Sequence, residues 1–270
     1  MIFDFTLDPI ENVYPWGDPE DLKIHWFALT QGNYRLKVGN DYLLNYTNDF
    51  HEYLTEKHPQ NTQPKNTCVD YYVVRLWEDI LDILPDVLEP VPKELQHFLE
   101  LGYENYKALN ERALDWQEFE IKNGANKDRT WSILELATNW LNNCWLDSGY
   151  ILYSPKIWIW SDENDVVINW DNSEIKIENI YVWTATKGNY RINKNDFINE
   201  VREFNKHLFD EMKERVETIC QNWKNDEIKI DFEQLKSEQK NRGTWLESKL
   251  KNVRKTNWSE VISAINQISA

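Results

Sequence analysis

The hydrophobic period switches three times along the chain, and that order limits what it can fold into. Apolar residues alternate in Phe3-Asp4-Phe5-Thr6-Leu7 and at Tyr34, Leu36 and Val38, the period of half-buried strands. From Val69 the spacing becomes three and four: Val69, Val73, Leu76, Trp77, Ile80, Leu81 and Leu84 predict a helix. A further helix is predicted over about Lys93 to Lys122, stopped by Asn123-Gly124, and another from an Asp128 cap. Alternation returns in Ile157-Trp158-Ile159-Trp160 and in Val166, Ile168 and Trp170. Helical spacing then resumes through Val201, Phe204, Leu208, Met212, Ile219 and Trp223, from Leu235 to Leu250, and from Asn257. Strands then helices, twice over, predict an α+β fold in which antiparallel sheets from two strand-rich blocks pack against several helices.

Finer expectations attach to the connections. Leu22 to Thr30 reads as a strand, Gln31-Gly32-Asn33 as a turn, and Gly39-Asn40-Asp41 as a turn into a strand over Tyr42 to Tyr46. Asn48 to Thr67 reads as a long loop or short helix, and Pro85, Pro90 and Pro92 as helix breaks. Ile175, Ile177, Ile180, Val182 and Thr184 read as a pair of strands or one interrupted near Glu178, and Asn257 with Glu260 as a capping box. Thr30-Gln31-Gly32-Asn33-Tyr34-Arg35-Leu36 recurs as Thr186-Lys187-Gly188-Asn189-Tyr190-Arg191-Ile192. Two strand–turn–strand corners would explain this echo, as would a duplicated strand–helix unit with halves at 1–145 and 146–270 inside one globular domain, 1–270.

Composition narrows the function. With 14 Trp, 13 Tyr and 10 Phe the chain can bury a large core despite 28 % charged residues. The start Met1-Ile2-Phe3-Asp4-Phe5 lacks the basic and apolar regions of a signal peptide, and no run reaches a membrane span, so a soluble cytoplasmic protein is expected. Cys68, Cys144 and Cys220 stand alone, without the paired spacing of a disulfide framework or zinc site. The net charge is −16. It disfavours nucleic acid and anionic membranes, whose phosphates need clustered Lys and Arg. Residues 1–127 hold 11 Lys and Arg against 23 Asp and Glu, and residues 70–120 hold 4 against 13. Such a lobe either keeps the chain soluble or steers a basic partner to it.

Catalytic signatures are missing. His51-Glu52-Tyr53-Leu54-Thr55 begins like a zinc-protease helix but has Thr where the second imidazole belongs. There is no phosphate loop, dinucleotide fingerprint or nucleophile elbow. Paired carboxylates are expected by chance among 46 acids. Trp158 and Trp160 could form a sugar platform, but alternating Trp on a strand more often packs beneath helices. No metal or cofactor is expected.

Pro15-Trp16-Gly17 followed by His25-Trp26-Phe27-x-Leu29-Thr30-x-Gly32-x-Tyr34 resembles an uncharacterised bacterial family, a domain of unknown function. Leu146-Asp147-x-Gly149-Tyr150-Ile151, Pro155-x-Ile157-x-Ile159-Trp160, Phe197-x-x-Glu200-Val201, Arg242-x-x-Trp245-Leu246 and Asn257-Trp258-x-x-Val261 fit the same pattern, which residues 70–120 match least. The resemblance implies no catalytic residue or cofactor. The leading expectation is therefore a protein-binding role, specifically an immunity protein that neutralises a basic bacterial toxin through Asp70, Glu78, Asp79, Asp82, Asp86 and Glu89. The alternatives are an enzyme with a pocket near His25, or a structural or regulatory scaffold.

Overall fold

The computed structural model describes residues 2–57, 67–100, 103–225 and 227–269. Its strands form two principal sheets, both antiparallel. In the first, β2 (Gln31–Val38) lies at the centre, with β1 (Phe3–Leu7) on one edge and β3 (Asp41–Leu43) and β4 (Val69–Tyr72) sharing the other. The second runs β5 (Ile157–Ser161), β6 (Asp165–Asp171), β9 (Lys187–Asn193), and a small hairpin pairs β7 (Lys176–Ile177) with β8 (Ile180–Tyr181). The helices are α1 (Asn48–Lys57), α2 (Val73–Val87), α3 (Lys93–Glu100), α4 (Tyr103–Lys122), α5 (Lys127–Asn142), α6 (Lys194–Asn222), α7 (Phe232–Arg242), α8 (Trp245–Lys251) and α9 (Trp258–Ile268). The predicted α+β class holds.

Burial explains the layering. Phe3, Phe5 and Leu7 of β1 and Tyr34, Leu36 and Val38 of β2 point into one core, leaving Asp4, Thr6, Gln31, Asn33, Arg35 and Lys37 on an outer face. The same core takes the apolar faces of α2 and α6; Phe3 stacks on Phe204 at 4.8 Å. In the second sheet β5 and β6 are buried on both sides, whereas β9 leaves Lys187, Asn189, Arg191 and Asn193 exposed. Ile157, Ile159 and Ile168 join the main core, while Trp158, Trp160 and Val167 meet a second one made by α3, α4, α5 and α9. Strands covered on both faces read as unbroken apolar runs, as Ile157-Trp158-Ile159-Trp160 does. Trp158 and Trp160 are therefore core, with no sugar-binding surface to offer.

Several local expectations fail for identifiable reasons. Leu22–Thr30 is no strand: Lys23 makes isolated bridges to Trp16 and Lys229, and Ala28–Thr30 is a 3-10 turn. Gln31-Gly32-Asn33 and Lys187-Gly188-Asn189 are not corners, because both lie inside strands. Gly32 is required by close approach: a Cβ there would stand 2.2 Å from the Thr6 carbonyl oxygen. Gly188 makes room for the Trp170 ring in the same way, at 2.4 Å. Val69 belongs to β4, paired with Tyr34, and the helix starts at Val73. Pro85 lies within α2 and breaks nothing before Val87.

Other termini shift by a few residues. The stretch from Lys93 to Lys122 holds two helices, α3 and α4, and that from Leu235 to Leu250 holds α7 and α8. The cap of α5 is Asn126, not Asp128; its side chain accepts from the Arg129 N–H, and α5 ends at Asn142. Asn257 makes no side-chain cap to α9; it accepts from the Ser259 hydroxyl instead. The stop at Gly124 (φ +88°) and the two-residue turn led by Gly39 (φ +62°) match expectation. His58, like most of the tract following α1, lies outside the described residues.

Candidate functional site

The six acids singled out from sequence do not share one open face. Glu78, Asp82 and Asp86 follow one another at four-residue spacing along α2, with Glu89 just past its end, so they form a stripe. The C-terminal segment lies against that stripe. Arg242 Nη1 sits 2.5 Å from Glu78 Oε1, and its guanidinium also packs over the rings of Trp26 and Trp245, 4.9 Å from each. Lys249 Nζ reaches Asp82 at 2.9 Å and Arg254 Nε reaches Asp86 at 3.1 Å. The backbone N–H and hydroxyl of Thr256 both donate to Glu89, each at 2.6 Å. These partners lie 164 to 168 residues away in sequence. The stripe is a seam that fastens the end of the chain, and of its members Asp82 stays most accessible.

Asp79 points the other way, into the main core. It accepts a 2.6 Å hydrogen bond from the Tyr150 hydroxyl and faces Arg75 Nε at 3.4 Å; the Tyr34 hydroxyl lies 3.4 Å from that of Tyr150. Tyr71 stacks on Tyr150 at 4.7 Å. Burial pushes the Asp79 carboxyl up to about 7, against the hydrogen bond from Tyr150 and the charge of Arg75, which pull it down. Burial likewise raises the Tyr150 and Tyr34 phenols. The acid of this cluster is only 4 % exposed.

Asp70 is the exception. It sits on the outer face of β4, opposite Asn33, and makes no ion pair among the described residues. Beside it an open cavity of about 320 Å³ is lined by Tyr14, Trp16, Gln31, Asp70, Tyr71 and Tyr72. Its walls are fixed by hydrogen bonds. The Trp16 indole N–H donates to the Tyr72 hydroxyl at 2.7 Å, and the Trp16 backbone exchanges two bonds with Lys23. The Tyr14 N–H donates to Gln31 Oε1 at 3.0 Å, while the Gln31 amide donates to the Asp8 carboxylate at 3.1 Å. The Asp70 carboxylate is crowded although solvent reaches it: desolvation raises its pKa first, and the charge of Asp8 adds to that.

His25 stands behind this wall. Its ring meets Trp16 edge-on at 4.3 Å, and its Nδ1 accepts from the Ala28 N–H at 3.3 Å. Burial lowers its pKa, partly offset by Glu238. It backs the Trp16 ring and is not among the residues lining that cavity. Sequence reasoning noticed Trp16 only as a family-pattern residue and Asp70 only as part of the α2 lobe. The missed signal was local: Asp8 to Asp21 contains five acids, Tyr14 and Trp16, and no Lys or Arg. Among the described residues there is no cluster suited to a metal ion, and no helix long and apolar enough to cross a membrane.

Fold and site together define an α+β protein with two antiparallel sheets and an aromatic–carboxylate cavity on the outer face of the first. The chain belongs to the family of unknown function DUF5984, which it matches over residues 2–264. No curated protein and no solved structure matches it.

Proposed function

We propose that this chain is a protein-binding protein with a basic partner, and that the contact is made by the segment from Asp8 to Asp21 together with Asp70. One observation carries the reading. That segment presents Tyr14, 76 % exposed, and Trp16, 41 % exposed, amid five acids and no base. Of those acids only Asp21 is ion-paired among the described residues, to Lys23 and Lys229. Exposed rings supply area that is desolvated on contact, and surrounding charge of one sign speeds and orients the encounter. The net charge of −16 extends that field beyond the edge itself.

In its finer form the partner is a toxin that attacks nucleic acid, and this chain is the immunity protein that covers its basic surface in the cytoplasm. An acidic binder suits that task, because a protein that grips phosphates must display Lys and Arg. The test is affinity capture with the tagged full chain from the cells that make it, at low and high salt. It is run beside a variant carrying Glu11→Lys, Asp18→Lys and Glu20→Lys. The expected result is one stoichiometric basic protein, held at low salt, released at high salt and absent with the variant. Equal capture by the variant would remove the edge from the interface.

A further inference from the structure

The aromatic edge also defines the chemistry of the group it receives. Resting on the reading of a basic partner, we infer that the cavity beside Asp70 is an arginine-binding pocket. In it a guanidinium group lies against the rings of Tyr14 and Trp16 and pairs with the Asp70 carboxylate.

Three features select this ligand. The first is which polar groups remain uncommitted. Gln31 spends its amide on Asp8 and its oxygen on Tyr14, and the Tyr72 hydroxyl accepts from Trp16. The Asp70 carboxylate is the charged group of that lining and has neither an ion pair nor a hydrogen bond among the described residues, so the charge it offers suits a cation. The second is the surface around it. The rings of Trp16 and Tyr72 stand 5.4 Å apart at 71°, and Tyr71 and Tyr72 5.0 Å apart at 75°, which presents aromatic faces and edges in a fixed arrangement. Aromatic faces attract cations, and the attraction is stronger for a flat, weakly hydrated guanidinium than for a compact ammonium. The third is the state of Asp70 before binding. Crowding and Asp8 both disfavour its charge, and the opposite charge of a paired guanidinium offsets both. Arginine affinity therefore weakens as pH falls through an Asp70 pKa that lies above the usual aspartate value of 3.8.

The experiment uses the full chain labelled at its indole nitrogens and follows the Trp16 N–H resonance, assigned with Trp16→Phe. N-acetyl-arginine methylamide, the matching lysine derivative and the neutral glutamine derivative are titrated in turn. The arginine derivative is expected to shift Trp16 saturably, with the lysine derivative weaker by about fivefold and the glutamine derivative inert. Asp70→Asn, nearly isosteric and on the outer face, is expected to weaken arginine binding about tenfold while the other indole resonances stay in place, which reports an intact fold. No shift of Trp16 with arginine, an unchanged affinity in Asp70→Asn, or lysine binding as tightly as arginine would overturn the assignment. Arginine binding that depends on Asp70, with partner capture indifferent to the edge, would leave the pocket standing and sink the basic-partner reading. Capture that depends on Glu11, Asp18 and Glu20 without arginine binding would do the reverse.

Discussion

Two acidic regions of this molecule invite comparison, the α2 stripe and the edge from Asp8 to Asp21 with Asp70. In the stripe, Glu78, Asp82, Asp86 and Glu89 each meet a partner from the C-terminal segment. At the edge, Glu11, Asp18, Glu20 and Asp70 make no ion pair among the described residues. Local sequence presents the stripe as the more concentrated charge and gives no hint that it is answered from more than 160 residues away. The edge looks weaker in sequence and is the part that remains available. Acidic density therefore locates charge, whereas pairing decides whether that charge is spent on the fold or left for a partner.

The largest expected effect falls on the seam. Arg242 and Glu78 are only 11 % and 17 % exposed, so Arg242→Met leaves a largely desolvated carboxylate with the longer 3.5 Å contact to Arg75 and strips a cation from two indole rings. Urea unfolding should show a loss of about 3–5 kcal/mol. A loss below about 1 kcal/mol would mean that the stripe is as free as the edge. Next comes Asp79, the α2 acid outside the seam. Folded, it keeps its proton up to about 7; unfolded, it ionises near 3.8. The folded state thus binds the extra proton between those values, and the cost of Asp79 is absent below about pH 4 and complete above about pH 7. Asp79→Asn keeps an acceptor for Tyr150 and removes the titration. Its stability relative to the parent should climb by roughly 4 kcal/mol across that window and stay level outside it.

Smaller effects sharpen the contrast. Lys249→Gln breaks the most exposed pair of the stripe and should cost under about 1 kcal/mol, a difference that high salt erases. The triple reversal Glu11→Lys, Asp18→Lys and Glu20→Lys should leave the unfolding midpoint within about 0.5 kcal/mol of the parent, since none of these acids holds the fold. A large loss from the triple reversal would turn the comparison around.

Much of the fold was legible where one face or both faces of an element set the pattern. β1 alternates because only Phe3, Phe5 and Leu7 face the core, and α6 shows its stripe from Phe197 to Ile219 because its far side is wet. Gly32 and Gly188 were misread because a glycine demanded by a neighbour's close approach looks the same in sequence as one demanded by a turn. Val69 fits a helical repeat by coincidence with Val73, and only its pairing with Tyr34 shows that it is strand. The expected membership of a family of unknown function holds, over residues 2–264. The cavity was not, because it exists only once β4 has paired with β2 and brought Asp70 beside Tyr14 and Trp16.

The most direct measurement is the association rate of the captured basic partner with two versions of the full chain, followed over a range of salt. One carries Glu11→Gln, Asp18→Asn, Glu20→Gln and Asp70→Asn at the edge. The other carries Asp82→Asn, the accessible member of the stripe, which the fold should tolerate. The edge variant should associate at least about tenfold more slowly with a flatter salt dependence, and Asp82→Asn should stay within about twofold of the parent. Slower association with Asp82→Asn and a parental rate for the edge variant would return the binding surface to α2 and contradict the account.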